Sequence, residues 1–269
     1  MKQFITYILI LTVCIVSCRK EDKVDYSDIK IYGHGGSGFT SYTNLLPANS
    51  FRSIQKAIEI LNADGVEVDL QIDNEGKVWL FHDQFLEGKT DCNGCFGEQS
   101  TISINSCSYK SGEGIYSLHE LINYFSSMSP KPRISLQVQI FERCINVETL
   151  TSSIYNIIEA NNAYDWIQIE SDSEEILIAL KNLSNNFSLF KNAHSIDNGI
   201  TTCINNGFQG LIIDTDNVTS VDLKRAKSLG LKVGLFGVKN QSDIKDALEK
   251  HPNQIQTDNI ELTNRIMNK

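Results

Sequence analysis

Short β-rich runs recur along the chain with amphipathic helical stretches between nearly all of them, and this alternation restricts the fold more than any other feature. The runs fall at residues 29–34, 65–72, 77–82, 134–140, 166–170, 187–190, 210–213, 232–236 and 254–257. Strands that alternate with helices form a parallel sheet joined by crossovers. Residues 50–62 put Phe51, Ile54, Ile58 and Leu61 on one helical face, and residues 221–229 do the same with Leu223, Ala226 and Leu229. Between the second and third runs there is only Asp73-Asn74-Glu75-Gly76, too short for a crossover, so these two runs form an antiparallel hairpin. Setting aside the hairpin's second arm leaves the eight strands of a closed barrel. The expected fold class is therefore α/β, a (β/α)8 TIM-type barrel over residues 29–269 with a β-hairpin after the second strand. An open doubly wound sheet is the competing arrangement.

The first residues carry a different signal. Lys2 precedes an apolar run over residues 4–16, followed by Ser17 and Cys18, the pattern of a secretory signal peptide and too short for a stable membrane span. Ile15-Val16-Ser17-Cys18 resembles the bacterial lipobox, in which Cys18 is acylated and becomes the mature N-terminus. Residues 1–18 are thus expected to be a lipoprotein signal peptide and residues 19–28 a charged tether. Arg19-Lys20-Glu21-Asp22 resembles the tag that sends some lipoproteins to the cell surface. The expected location is an exported outer-membrane lipoprotein, periplasmic or at the cell surface, held to the membrane by its lipid.

After that cleavage five cysteines remain: Cys92, Cys95, Cys107, Cys144 and Cys203. An exported compartment permits disulfides, and an odd number leaves at least one thiol unpaired. A loop disulfide among Cys92, Cys95 and Cys107 competes with free thiols and with a metal or redox role for Cys92-Asn93-Gly94-Cys95. The net charge of -9 and pI near 5.1 argue against nucleic acid as a partner, because no Lys/Arg stripe offers the counterion release that phosphate backbones require.

Residues 65–72 (GVEVDLQI) alternate strictly, sending Val66, Val68, Leu70 and Ile72 to one face and Glu67, Asp69 and Gln71 to the other. Strands covered by helices usually read apolar throughout. Two inward carboxylates without compensation would each cost several kcal/mol. A divalent cation removes that cost, and oxygen ligands suit Ca²⁺, Mg²⁺ or Mn²⁺. A solvated edge strand is the plainer alternative. A symmetric four-residue turn would set His82 opposite Glu67 and Leu80 opposite Asp69, with directly opposed residues about 5 Å apart on one face; a one-residue slip would turn His82 away. Residues 134–140 alternate likewise, placing Ser135, Gln137 and Gln139 inward, and the Gln137 amide oxygen can ligate a hard cation. His34 ends the first strand, just before the glycine-rich turn Gly35-Gly36-Ser37-Gly38.

These segments together resemble the glycerophosphodiester phosphodiesterase family. The resemblance rests on His34-Gly35-Gly36, the helix start Pro47-Ala48-Asn49-Ser50, Glu67-x-Asp69 and His82-Asp83. Weaker matches are Tyr116-Ser117-Leu118-His119-Glu120, the strand Val233-Gly234-Leu235-Phe236 and the closing Ile255-Gln256-Thr257-Asp258. It implies a small phosphodiester substrate, general acid and base roles for His34 and His82, and a divalent metal, usually Ca²⁺ or Mg²⁺, on Glu67 and Asp69. A cation between two titratable imidazoles can neutralise the phosphate, deprotonate a nucleophile and protonate the leaving alkoxide.

Three positions depart from the family pattern. Gly35 stands where an arginine usually follows the first histidine, and Gln137-Val138-Gln139 replaces Glu-x-Lys. Each lost charge removes a charge-assisted contact to metal or phosphate. Two other functions therefore compete: a degenerate barrel serving as a surface binding lipoprotein, and a cyclising phospholipase or lyase driven by the same histidines. His119 and His251 read as surface positions, His194 as an exposed loop histidine or one lining the barrel mouth, Phe236 as core or as an apolar wall of the site, and Asn49 as a helix cap.

Overall fold

The computed structural model describes residues 25–39, 45–139 and 146–268. The signal peptide with Cys18, most of the charged tether, Ile140 and Cys144 lie outside the described residues.

Nine strands form one sheet: β1 (Lys30–Gly33), β2 (Gly65–Ile72), β3 (Val78–Leu80), β4 (Arg133–Val138), β5 (Ile167–Ser171), β6 (Ser188–Ala193), β7 (Gly210–Asp214), β8 (Lys232–Val238) and β9 (Gln254–Thr257). Eight run parallel in the order β1-β9-β8-β7-β6-β5-β4-β2, and pairing of β1 with β2 closes the ring. The fold is thus the eight-stranded TIM-type barrel expected from the alternation. The open-sheet alternative falls because both edges are consumed by closure.

Outward strand residues such as Ile31, Val66, Val68, Leu136, Ile169, Leu211, Ile213, Val233 and Leu235 are fully buried against the helices. Each such side chain contributes about 1.5–3 kcal/mol, so this annulus holds the barrel together. The covering helices are α1 (Phe51–Gln55, continued by one π-helical stretch at Lys56–Ile60), α3 (Leu118–Ser126), α4 (Val147–Ala160), α5 (Glu174–Leu183), α6 (Ile196–Asn206), α7 (Ser220–Ser228), α8 (Gln241–Glu249) and α9 (Ile260–Met267), while α2 (Thr101–Ser106) lies in the segment after β3. The segment Ser117 to Glu120, one of the weaker family matches, is a capping box that starts α3. No helix among the described residues is long and apolar enough to cross a membrane.

The hairpin exists, but its register is not the expected one. Observed pairs are Leu70 with Leu80, Gln71 with Trp79 and Ile72 with Val78, one residue away from a symmetric four-residue turn. The cause is Asp73. Its backbone N–H donates to the Lys77 carbonyl at 3.0 Å, while its Oδ1 accepts from the N–H groups of Glu75 and Lys77. Asp73 and Lys77 thereby close a three-residue loop, with Gly76 supplying the left-handed φ of +89°. Asp73 Oδ2 is also held by Trp79 Nε1 and Thr101 Oγ1, which pins the slip in place. Extended further, this register would turn His82 away from Glu67, but the ladder stops at Leu80. Phe81 N still donates to the Asp69 carbonyl at 3.0 Å, and the chain then leaves the strand, which frees His82 from the strand's facing rule.

Residues 84–116 fold beside the hairpin around a small second core of Trp79, Phe81, Leu86, Phe96, Ile104, Cys107, Tyr109 and Ile115. A Cys92–Cys107 disulfide fastens it, Cys95 is also disulfide-bonded, and Cys203 is a buried free thiol.

Candidate active site

Inside the barrel several side chains on β2, β4 and β5 are polar, where packed barrels are usually branched and apolar. Cross-strand register lines up Asp69 on β2, Gln137 on β4 and Glu170 on β5, and Glu67, Asp69 and Glu170 are all buried. Glu170 accepts from Ser135 Oγ at 2.6 Å and from Gln256 Nε2 at 2.8 Å. The alternation of Gln168 and Glu170 with Ile167 and Ile169 carries the same signal as β2 and would have placed Glu170 in this cluster.

Glu67 accepts from the Gly35 N–H at 2.9 Å through Oε2, but its Oε1 is buried with no hydrogen-bond partner. Asp69 is clamped by Asn49, whose Nδ2 donates to Oδ2 at 2.8 Å and whose Oδ1 accepts from the Asp69 N–H at 3.0 Å. Gln139 Nε2 reaches Asp69 Oδ1 at 3.3 Å. Asn49 is therefore not the cap of α1. Ser50 takes that role, accepting from the Ser53 N–H, and Asn49 adopts the left-handed conformation at φ +65° that asparagine tolerates.

Burial raises the Glu67 carboxyl well above the usual carboxylate range, and the negative charges of Asp69 and Glu170 push the same way. Asp69 is raised by burial too, partly opposed by His82, by the Asn49 hydrogen bond and by His34. Glu170 is raised by burial against the hydrogen bonds from Ser135 and Gln256. A buried carboxylate oxygen with no hydrogen-bond partner, beside a second buried carboxylate, fits a hard divalent cation. Glu67 and Asp69 would hold it, with Gln137 beside them.

His34 stands at the end of β1. Its Nδ1–H donates to Asp258 Oδ1 at 2.9 Å, and its Nε2 lies 4.0 Å from Glu67 Oε2. His82 Nδ1–H donates to Asp83 Oδ1 at 2.6 Å. Each imidazole is thus oriented by an aspartate through its Nδ1. Phe39 bridges the two rings, with centroids 4.9 Å from each. The contact of His34 with Asp258 is the hardest of these to find in sequence, because 224 positions separate the two residues.

Gly35 also has a local explanation. Its φ is +58°, and a Cβ there would meet Phe39 at 2.7 Å and the Ala48 Cβ at 2.8 Å. Phe39 occupies the room that a side chain at position 35 would need.

His34, His82, Gln137, Gln139, His194 and Phe236 border a cavity of about 360 Å³. His194 is exposed, as its sequence suggested, yet it stands at this cavity's wall, and Phe236 is half-buried there. The exposed His119 and His251 border neither this cavity nor the smaller one beside it.

A family model described as the glycerophosphoryl diester phosphodiesterase family matches residues 39–262. The chain is 21% identical over 236 residues to the protein YqiK of Bacillus subtilis, spanning 85% of this chain and 94% of that one. Among solved structures, an Oleispira antarctica phosphodiesterase in complex with the product sn-glycerol-3-phosphate superposes with a TM-score of 0.79 at 18% identity, covering 89% of this chain and 97% of that one. A glycerophosphodiester phosphodiesterase from Parabacteroides distasonis gives 0.76 at 17% identity, covering 90% and 97%. At these identities the structures establish a shared fold.

Proposed function

The chain belongs to the glycerophosphoryl diester phosphodiesterase family, whose members are phosphoric diester hydrolases, and from that premise we propose that it cleaves small glycerophosphodiesters with His34 and His82 as its acid–base pair. The observation that carries this reading is the pairing of two aspartate-oriented imidazoles with a buried carboxylate pair whose Glu67 Oε1 is unpartnered. A pure binding module has no need to orient both imidazoles.

Hydrolysis breaks the P–O bond to the leaving alcohol and forms one to a water oxygen. We assign His34, deeper in the barrel mouth, to take the water's proton, and His82, at the outer wall, to give its proton to the departing alkoxide. Phosphomonoester and alcohol leave, and the two imidazoles end with exchanged protonation states. Glu67 and Asp69, with the Gln137 amide nearby, would hold a divalent cation such as Ca²⁺ or Mg²⁺, which would supply positive charge for the anionic phosphate oxygens. Asp258 and Asp83 fix the tautomers and orientations of the two rings. With Gly35 and Gln139 in place of cations, phosphate neutralisation would fall mainly to that ion and the histidines.

The test is product analysis. Glycerophosphodiester incubated with protein and Ca²⁺ or Mg²⁺ should yield glycerol phosphate and free alcohol by phosphorus NMR. A cyclic phosphate as the final product would replace hydrolysis by intramolecular attack.

We also propose that the chain is exported and acylated at Cys18. The lipobox-like Ile15-Val16-Ser17-Cys18 supports this, and so does the Cys92–Cys107 disulfide, a bond that persists outside the reducing cytosol. Labelling with a palmitate analogue should be lost in Cys18→Ser; persistence of label would refute acylation there.

A further inference from the structure

His82 borders two cavities. Beyond the catalytic one lies a second, of about 140 Å³, lined among others by Phe39, Phe81, His82, Asp83, Lys89 and Tyr109. Because His82 is shared, an alcohol leaving from phosphorus on the His82 side departs into this second space.

Aromatic Phe39, Phe81 and Tyr109 share its walls with aliphatic Leu46, Pro47 and Ala48, and its volume is under half of the ~300 Å³ at which ordinary ligand pockets begin, so it suits a small alcohol. Two charged side chains line it. Asp83 is engaged by His82 Nδ1, whereas Lys89 pairs with no carboxylate among the described residues. Its backbone is held firmly. The Lys89 carbonyl accepts from the Lys110 N–H, the neighbouring Thr90 N–H donates to the Leu86 carbonyl, and Thr90 Oγ1 donates to that carbonyl at 2.8 Å. The Cys92–Cys107 disulfide closes the same loop. A fixed base carrying an ammonium that no described carboxylate pairs, beside a small cavity, recognises an anionic substituent.

We propose that this cavity is the leaving-group subsite and that Lys89 makes it select glycerophosphodiesters whose second alcohol bears an anionic group such as a carboxylate. The inference rests on the hydrolytic reading above. Lys89 is exposed, so solvent and salt screen its charge, and the discrimination it supplies is about fivefold.

The experiment compares kcat/KM for three diesters of glycerol 3-phosphate, with choline, glycerol and 3-hydroxypropanoate as second alcohol. Wild-type protein should favour the 3-hydroxypropanoate diester over the choline diester by about fivefold, and the ratio should shrink with added salt. Lys89→Met should bring the ratio close to one, and Lys89→Glu should invert it. An unchanged ratio in both variants, or a wild-type preference for choline, would overturn the subsite while leaving hydrolysis intact. If none of the three diesters is cleaved, the hydrolytic reading fails and takes the subsite with it.

Discussion

Asp258 Oδ1 receives the His34 Nδ1–H at 2.9 Å and, at 2.8 Å, the N–H of Phe39. One carboxylate at the end of the barrel thus sets both the tautomer of the first histidine and the position of the aromatic ring between the two imidazoles. Asp258→Ala should lower kcat about 10²-fold with little change in KM, because it disturbs proton transfer more than substrate contact. A variant that loses KM instead would make Asp258 a binding residue.

Asn49 makes two hydrogen bonds to Asp69, one donated by its Nδ2 and one accepted by its Oδ1. Residues of that kind tune metal affinity by about 10–100-fold. Asn49→Ala is expected to weaken Ca²⁺ or Mg²⁺ binding by that amount in calorimetric titration, with activity recovered at high metal concentration. Unaltered affinity would show that Asp69 needs no such support.

The departures at positions 35 and 139 should respond differently to reversal. Gly35→Arg forces a side chain into the left-handed conformation and against Phe39 and Ala48, which costs about 2 kcal/mol or more. It should lower the melting temperature without raising activity. Gln139→Lys meets no such obstacle at its half-buried position and would set a cation beside Asp69, where Gln139 now donates; it should lower KM for the diester. Gain of activity in Gly35→Arg would refute this account of Gly35.

Metal-free protein should become less stable as pH rises. Burial raises the folded-state pKa of Glu67, Asp69 and Glu170, so the folded chain holds protons that the unfolded chain releases. Their contribution is fully present below the ordinary carboxylate pKa of about 4 and is lost as pH climbs through the raised values. Saturating cation reverses this, since it binds the ionised carboxylates, and at about a hundredfold its Kd adds roughly 2.7 kcal/mol. Thermal melts with chelator and with Ca²⁺ should diverge as pH rises. Coincident melts at neutral pH would argue against a cation on this carboxylate pair.

The parts of this site legible in sequence were those governed by local periodicity. The alternation over residues 65–72 matches β2 residue for residue, and it placed Glu67 and Asp69 inward because a strand's facing rule is set by its own backbone. Counting strands and removing a hairpin arm led to the barrel for the same reason. The hairpin register failed because Asp73, an ordinary turn residue in sequence, uses its side chain to select a three-residue loop. His82 nonetheless reaches the site, since the chain leaves β3 before the slip can matter. Asp258 and the Asn49 clamp were hidden because both depend on tertiary contacts between distant segments. Glu170 was readable by the β2 rule, yet its strand is short enough to pass for plain core.

Metal-dependent turnover by the two histidines is the centre of the account, and it is tested most directly by glycerophosphodiester hydrolysis in chelator-treated protein as Ca²⁺ or Mg²⁺ is added back. The account predicts negligible release of glycerol phosphate without metal, restoration on titration, and loss of that restored activity in both His34→Ala and His82→Ala. Hydrolysis that persists under chelation, or that survives both substitutions, would contradict it.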